Sequence, residues 1–468
     1  MSLGQHLLQV LKPVSASGDP TGMPVTSGLL YRWNAAQGVT TSAGLVTQWN
    51  DQASTNHVYS SGYSPTYVSS FDRFNGKPSI RFAAGNVLAG TSLTPIYGNA
   101  NRTVVAIVRT INAGDATYGD NIISQSDAPI ARYNAGSWPY YYPVALSTRG
   151  IHGWDPVPDY LPSEMPTKAT QCIIWTHAST GTATTLRRNG AAVGGATLNF
   201  TENQGYTVIG KGMQNSGHDI DADYADLLVF NRVLNSTEIS QIEAWAQSYY
   251  NIDYSFDKVS LLLHMDGANG STTFTDSSSN ALSITANGDA KISTAQTISG
   301  FGQSAYFDGN DWISIASNSA MAFSTGAFSV EFWIRLDSIP ASGSRIIMYT
   351  GNQSGSFILR LEPSTGYLFC ERNFTSTNEA KTTVGLSAAT WQHVAVTRDA
   401  SSVMRIFIDG VQRGSGTVTS DYNQGGSFVG STSTGTQGLA MYIDDLRVTK
   451  GVARYTANFT PSGPFPNS

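Results

Sequence analysis

The sequence predicts an all-β protein made of two tandem copies of one domain. Three observations carry that expectation. One closing segment occurs twice, as Tyr224-Ala225-Asp226-Leu227-Leu228-Val229-Phe230-Asn231-Arg232 and as Met441-Tyr442-Ile443-Asp444-Asp445-Leu446-Arg447-Val448-Thr449-Lys450. Each is an apolar-alternating strand with an aspartate near its start and a basic residue after it. The separation exceeds any solenoid repeat, so each copy should be a whole domain. Charged residues are only 13% and glycines number 46, which suits many turns and disfavours long surface helices. A chain of 468 residues can also hold two or three domains, each with its own core.

The elements follow in order. Residues 1–27 form an N-terminal arm. Leu3, Leu7, Leu8 and Leu11 fall at helical spacing there, and a short helix could pack on its own domain or dock onto a partner. The first copy spans 28–252. It opens at Gly28-Leu29-Leu30-Tyr31-Arg32-Trp33 and continues through Trp49-Asn50-Asp51 and the turn-plus-strand Asn75-Gly76-Lys77-Pro78-Ser79-Ile80-Arg81-Phe82. Arg102 to Arg109 and Thr170 to His177 are nearly continuous apolar runs, as central sandwich strands require. Asn189-Gly190 marks a hairpin turn, because both residues tolerate left-handed backbone. A helix is expected over 235–250. Asn235 caps it, Glu238 returns the capping box, and Ile239, Ile242, Trp245, Ala246 and Tyr249 form its apolar stripe. Residues 253–258 are the linker.

The second copy, 259–468, repeats this order. Val259–Asp266 opens it and Phe274-Thr275-Asp276 matches the Trp49–Asp51 segment. Phe328–Arg335 matches the Val104 strand, Trp391–Thr397 matches Ile174–His177, and Asp409-Gly410 matches Asn189-Gly190. Asp226 and Asp444 are read as counterparts on the closing strands.

Bulk properties exclude several classes. Lys plus Arg is 27 against 33 for Asp plus Glu, a formal net charge of −6 without basic runs, so no nucleic-acid partner is expected. No apolar run is long enough to span a bilayer, so no membrane insertion is expected. The N-terminus lacks a basic n-region and a small-residue cleavage site, unlike a secretory signal. Cys172 and Cys370 lie one in each copy, which favours free buried thiols over a disulfide.

Phe307-Asp308-Gly309, Phe328-Ser329-Val330-Glu331-Phe332-Trp333-Ile334, Trp391-Gln392-His393-Val394-Ala395-Val396, Ile408-Asp409-Gly410 and Ile443-Asp444-Asp445-Leu446-Arg447-Val448 together resemble the concanavalin A-like, laminin G-like domains. The resemblance covers nearly all of copy two, and copy one resembles a more divergent member. It implies two antiparallel jelly-roll β-sandwiches in tandem with one short helix between them. It also implies carbohydrate or protein binding more than catalysis. The ending Gly451-Val452-Ala453-Arg454-Tyr455-Thr456-Ala457-Asn458-Phe459-Thr460-Pro461 resembles tails of such domains in bacteriophage structural proteins, which implies a virion setting with assembly in the host cytoplasm.

Fold alone does not decide catalysis. Glucanases of this fold carry alternating carboxylates on one strand, as glycoside hydrolysis needs an acid and a nucleophile or base. The nearest run here is Glu331-Phe332-Trp333-Ile334-Arg335-Leu336-Asp337, whose carboxylates are too far apart, so Glu331 is read as structural and no enzyme activity is expected. No helical His-x-x-x-His and no phosphate-binding loop is present.

Two groups of residues could carry recognition. Tyr133, Trp138, Tyr140, Tyr141, Tyr142, Trp154 and Tyr160 crowd an irregular segment of copy one. They offer ring faces for sugar stacking, or they bury that loop. The resemblance further implies a calcium ion held by an early-loop and a last-strand aspartate: Asp276 and Asp444 in copy two, Asp51 and Asp226 in copy one, with Asp266 and Asp445 as further options. The competing reading is that these aspartates cap turns. The expected function is a non-enzymatic virion structural protein, a tail-fibre, head-fibre or decoration subunit. Its partners would be other virion proteins, host surface glycans and further copies of itself, since sandwich edges invite pairing. The alternatives are a bacterial lectin and a glycan hydrolase of the same fold.

Overall fold

A computed structural model describes residues 21–60, 63–83, 85–90, 100–111, 121–126, 144–147, 151–153, 168–179, 181, 183–198, 206–210, 220–351, 355–375, 378–423 and 425–467. It is mostly β, with antiparallel sheets and, among the described residues, one α-helix. The chain divides into two compact units between Tyr254 and Ser255.

The second unit is a two-sheet sandwich. One sheet centres on Ala440–Lys450, which pairs with Val259–Leu263, Ser304–Asp308 and Phe328–Leu336. It continues through Gln392–Arg398, Val403–Ile408 and Val411–Thr417. The other runs Ile284–Asn287, Trp312–Ile315, Ser427–Val429, Arg345–Thr350, Phe357–Leu361, Tyr367–Arg372 and Asn378–Gly385. Hairpin neighbours alternate with neighbours far apart in sequence, such as Ser304–Asp308 beside Ala440–Lys450 and Trp312–Ile315 beside Ser427–Val429, the crossing pattern of a jelly roll. Strand alternation sends Leu261, Phe307, Val330, Phe332, Leu359, Val394, Ile406 and Ile443 into the shared core.

The first unit has the same centre. Ala222–Phe230 pairs with Leu29–Asn34, Lys77–Phe82 and Arg102–Thr110, followed outward by Thr170–His177, Ala183–Arg188 and Ala191–Thr197. Short strands including Val58–Ser60, Leu88–Gly90 and Tyr206–Ile209 make the opposing layer. A single pairing, Leu45 with Thr66, links the two layers at one corner. Trp33, Trp49, Phe82 and Tyr224 fill the space between them.

Hydrogen bonds fix how the copies correspond. The Arg32 amide donates to Asp51 Oδ1 and the Arg32 carbonyl accepts from Gln52; Leu262 does the same with Asp276 and Ser277. Cys172 exchanges bonds with Asn189 as His393 does with Asp409. Asn189 and Asp409 have φ of 47° and 52°, and Gly190 and Gly410 follow at 73–78°, the left-handed pair a tight hairpin turn needs. Both closing strands carry a bulge within a residue or so of the same place, at Ala225 in one unit and between Arg447 and Asp444 in the other. With Leu228 opposite Arg32 and Arg447 opposite Leu262, the counterpart of Asp226 is Asp445, and Asp444 stands where the first unit has Ala225. The sequence offers two adjacent aspartates, Asp444 and Asp445, as matches for Asp226, and the pairing of each closing strand with its first strand selects Asp445.

The outer face of the central sheet is covered differently in each unit. In the first, Val105, Ile107, Cys172, Ile174, Ala225 and Leu228 pack beneath the helix Ser236–Tyr250. Asn235 caps that helix, with the full Asn235–Glu238 capping box formed. The buried stripe is Ile242, Trp245, Ala246 and Tyr250; Tyr250 rather than Tyr249 is fully buried, and its hydroxyl donates to Asp226 at 3.1 Å. In the second unit, residues after Lys450 lie over the equivalent face as an irregular strap. Tyr455 and Phe459 stack at 3.5 Å, and the Arg447 guanidinium sits 3.9 Å over Phe465.

Candidate functional site

The aromatic group Tyr133, Trp138, Tyr140, Tyr141, Tyr142, Trp154 and Tyr160 lies outside the described residues, as does the leucine-spaced N-terminal arm.

The four predicted calcium aspartates are all buried, but they do different work. Asp51 accepts from the Arg32 and Ala53 amides and from the Ser54 hydroxyl. Asp276 accepts from the amides of Leu262, Ser278 and Leu282 and from the Ser278 hydroxyl. Both carboxylates are thus used to hold the early loop on the first strand, as turn-capping aspartates do. Asp226 takes a bidentate guanidinium bond from Arg32 at 2.7 and 3.2 Å, plus bonds from Asn34 and Tyr250. In this unit one arginine therefore joins the two predicted ligands, its amide on Asp51 and its guanidinium on Asp226. Asp445 is similarly engaged. It meets His264 Nδ1 at 2.6 Å and accepts from the Phe465 amide, and His264 Nε2 reaches Asn467 at 2.8 Å. Burial opposes the charge on His264, but its bonds to Asp445 and Asn467 outweigh that and raise its pKa.

Asp444 is the exception. Its side chain is fully buried, and no side chain among the described residues hydrogen-bonds either carboxylate oxygen; only the adjacent Asp445 amide bears on it. Burial, with Asp445 and Asp266 nearby, pushes its carboxyl up to about 8. Its cross-strand neighbour is Trp333, whose indole N–H is also unpartnered and whose ring meets Phe301 edge-on at 5.6 Å. Asp266 is exposed and accepts from the Gln303 amide at 3.2 Å. Gly302 makes that approach possible: its φ is +110°, and a Cβ there would lie 2.1 Å from Asp266 Oδ1.

Glu331, the carboxylate closest to a glucanase pattern, is fully buried beneath the strap. It is gripped by Arg447 at 2.8 and 3.0 Å and by the Tyr455 hydroxyl at 2.8 Å, with His393 at 3.5 Å and Arg454 at 3.6 Å. Burial alone would raise its pKa, but Arg447, His393 and Arg454 hold it well below the usual carboxylate range. Asp337 pairs with Arg335 at 3.2 Å on the exposed side, so the two carboxylates share no groove. A third acidic group, Asp289, Asp308 and Asp311, brings its oxygens within 4.8 Å of one another. Asp311 there accepts from the Asp289 and Asp308 amides, and Lys291 pairs with Asp289.

Sequence reasoning missed one aromatic cluster, on the outer face of the second unit's other sheet, where Ile346, Tyr349 and Ile358 are buried and Phe374 and Phe428 pack against them. Trp312 and Ser314 alternate with the core residues Ile313 and Ile315, so they point outward. The row continues through Phe428, Tyr349, Ile358 and Glu371. Tyr349 and Phe428 stack at 5.0 Å, Phe374 stands edge-on to Tyr349, and Trp312, Phe428 and Phe374 remain half-buried. Arg360 crosses this face. It pairs with Glu371, donates to Gln437 at 2.7 Å and lies 5.2 Å over Phe374. The available signal was the alternation of Trp312 and Ser314 with buried isoleucines, but the surface joins strands more than a hundred residues apart. Ring faces edged by fixed charges and amides can stack on a sugar and hydrogen-bond its hydroxyls.

With this geometry established, residues 307–454 match a family described as the concanavalin A-like lectin/glucanases superfamily. No curated protein matches the chain. Among solved structures it is similar to domain 4 of AbnA, a GH43 extracellular arabinanase from Geobacillus stearothermophilus, in complex with arabinotriose. That match has 16% identity and a TM-score of 0.34, over 42% of this chain and 94% of that one. It is also similar to the receptor binding domain of botulinum neurotoxin C/D mosaic serotype, at 16% identity and TM-score 0.32, over 42% of this chain. The binding domain of Paraclostridial Mosquitocidal Protein 1 matches at 14% identity and TM-score 0.33, again over 42% of this chain. The chain spans 49% and 50% of the lengths of these two toxin domains. Strand order, core and family match together give the second unit a concanavalin A-like lectin/glucanase fold.

Proposed function

We propose that this protein is a non-enzymatic glycan-binding structural protein of a virion, and that its glycan site is the sheet face where Trp312, Phe428 and Phe374 stay partly exposed around the buried Tyr349. The observation that carries the glycan reading is the partly exposed set Trp312, Phe428 and Phe374, with Gln437 and the buried Arg360–Glu371 pair beside it, on a unit that matches a lectin/glucanase family. The locked Glu331 supports binding without hydrolysis, since a catalytic carboxylate must reach its substrate. The bacteriophage-like ending Gly451–Pro461 supports the virion setting. Many copies on a particle would raise a weak single-site affinity by raising effective concentration.

A glycan array with the whole protein, followed by Trp312→Ala and Phe428→Ala, tests this reading. Each variant is expected to weaken binding about tenfold, the loss of one stacking contact with its buried area. Trp138→Ala and Trp154→Ala test the loop in the first copy in the same assay. Unchanged binding in the Trp312 and Phe428 variants, or release of reducing ends from a bound polysaccharide, would overturn it. Immunogold labelling of particles tests the virion setting.

A further inference from the structure

We propose that the first unit binds the oxyanions of an acidic polysaccharide at Arg81, Arg109 and Lys168, on the outer face of its central sheet. The partner class rests on the glycan reading; the site does not, since it lies in the other unit. Pairing lines up Thr66, Arg81, Asp223, Arg109 and Thr170 across five strands. Alternation turns Arg81, Asp223 and Arg109 outward, because their strand neighbours Ile80, Phe82, Val108, Ala222 and Tyr224 face the core. Asp223 is fully buried and is shared by two guanidiniums. Arg81 grips it at 2.5 and 2.8 Å through Nε and Nη2, and Arg109 Nη1 reaches it at 3.4 Å. Arg109 Nε donates to the Lys168 carbonyl at 3.2 Å, and the Thr170 hydroxyl donates to the Arg73 carbonyl at 3.2 Å, so Lys168 and Arg73 are drawn to the same end of the row. The Phe71 ring lies 5.9 Å from the Arg81 guanidinium and 5.8 Å from that of Arg109.

The acids nearby do not balance these cations. Arg73, Arg81, Arg109, Lys168 and, across from Phe71, Lys77 stand against Asp223, Asp72 and Asp221, on a chain whose net charge is −6. Burial lowers the Arg109 pKa, and Arg73 and Arg81 push the same way against the pull of Asp223. Arg81 Nη1 and Arg109 Nη2 take no part in the bonds above, the Arg81 side chain is 36% exposed and Lys168 is exposed, so donors remain for a ligand. Guanidiniums fixed by a shared carboxylate present rigid forks that suit carboxylate and sulfate oxygens. The fold does not require this row: the second unit has Tyr306, Tyr442 and Arg335 at the corresponding places. The patch occupies one end of one sheet of an acidic chain, which favours a polysaccharide over a nucleic acid, whose binding needs a longer basic stripe.

The test titrates the whole protein with dextran sulfate, polygalacturonate and neutral dextran at low salt. One acidic polymer or both should bind, and which of them binds names the oxyanion; dextran should not bind, and added salt should weaken the complex. Arg81→Tyr combined with Asp223→Tyr installs the pair that the second unit carries and leaves the net charge unchanged. It should fold and weaken acidic-polymer binding about tenfold or more, the loss of one charge-assisted contact. Lys168→Asn is a milder, exposed variant, since asparagine tolerates the left-handed backbone at that position, where φ is 62°. It should weaken binding about threefold. Binding of neutral sugars on the glycan array should be unchanged in both variants, so failure here and failure at the Trp312 face are read separately. The proposal is overturned if neither acidic polymer binds, if dextran binds as tightly, or if a DNA duplex binds as tightly at equal charge. Unchanged acidic-polymer binding in either folded variant would overturn it as well.

Discussion

At the scale of the residue, equivalent positions have drifted toward opposite chemistry while the backbone stayed the same. Cys172 and His393 make the same main-chain bonds to their hairpin turns, yet one is a buried thiol raised to about 12 and the other an imidazole beside Glu331. His177 shows how such a site responds to pH. It is fully buried, with Nδ1 against Thr184 Oγ1 at 2.9 Å, and burial with Arg102 nearby lowers its pKa to about 4. The unfolded chain takes up that proton near pH 6.5. Between those values the unfolded state binds more protons, so the His177 contribution is present above about pH 6.5 and is lost as pH falls toward 4. Urea denaturation at stepped pH should show the first unit weakening over that window, and His177→Gln should flatten the slope.

At the scale of the element, the same sheet face accepts a helix in one unit and a strap in the other. The helix covers an apolar face. The strap covers a charged one: Glu331 stands where the first unit has Val105, and Arg447 where it has Leu228. Burying that pair is tolerated because Tyr455, His393 and Arg454 complete its surroundings. Breaking it from one side leaves a buried charge. Arg447→Leu alone should destabilise the second unit by about 3–5 kcal/mol, whereas Glu331→Val with Arg447→Leu, which restores the pairing of the first unit, should recover most of that loss. A double-mutant cycle by chemical denaturation measures the difference.

At the scale of the whole molecule, each compact unit buries its own apolar clusters, a sandwich core and a second one on an outer sheet face. Scanning calorimetry should therefore resolve two transitions. His177→Gln should move one of them and Arg447→Leu the other.

The sequence by itself determined many of the strands, the hairpin turns and the capped helix. Those depend on local rules: alternation of apolar residues, Asn-Gly and Asp-Gly at left-handed positions, and the Asn235–Glu238 box. It also marked Asp51 and Asp276 as equivalent, since both sit just after the same aromatic step. The tertiary structure decided which aspartate is free. Strand pairing makes Asp445, rather than Asp444, the counterpart of Asp226, and only the hydrogen bonds of the folded chain reveal that three predicted ligands are engaged by several donors while Asp444 is not. The aromatic cluster around Tyr349 was equally out of reach, because Trp312, Phe428 and Phe374 gather only when distant strands pair. Local spacing encodes what one segment does with its own backbone; whether a buried group finds a partner depends on residues that only the closed sandwich brings together.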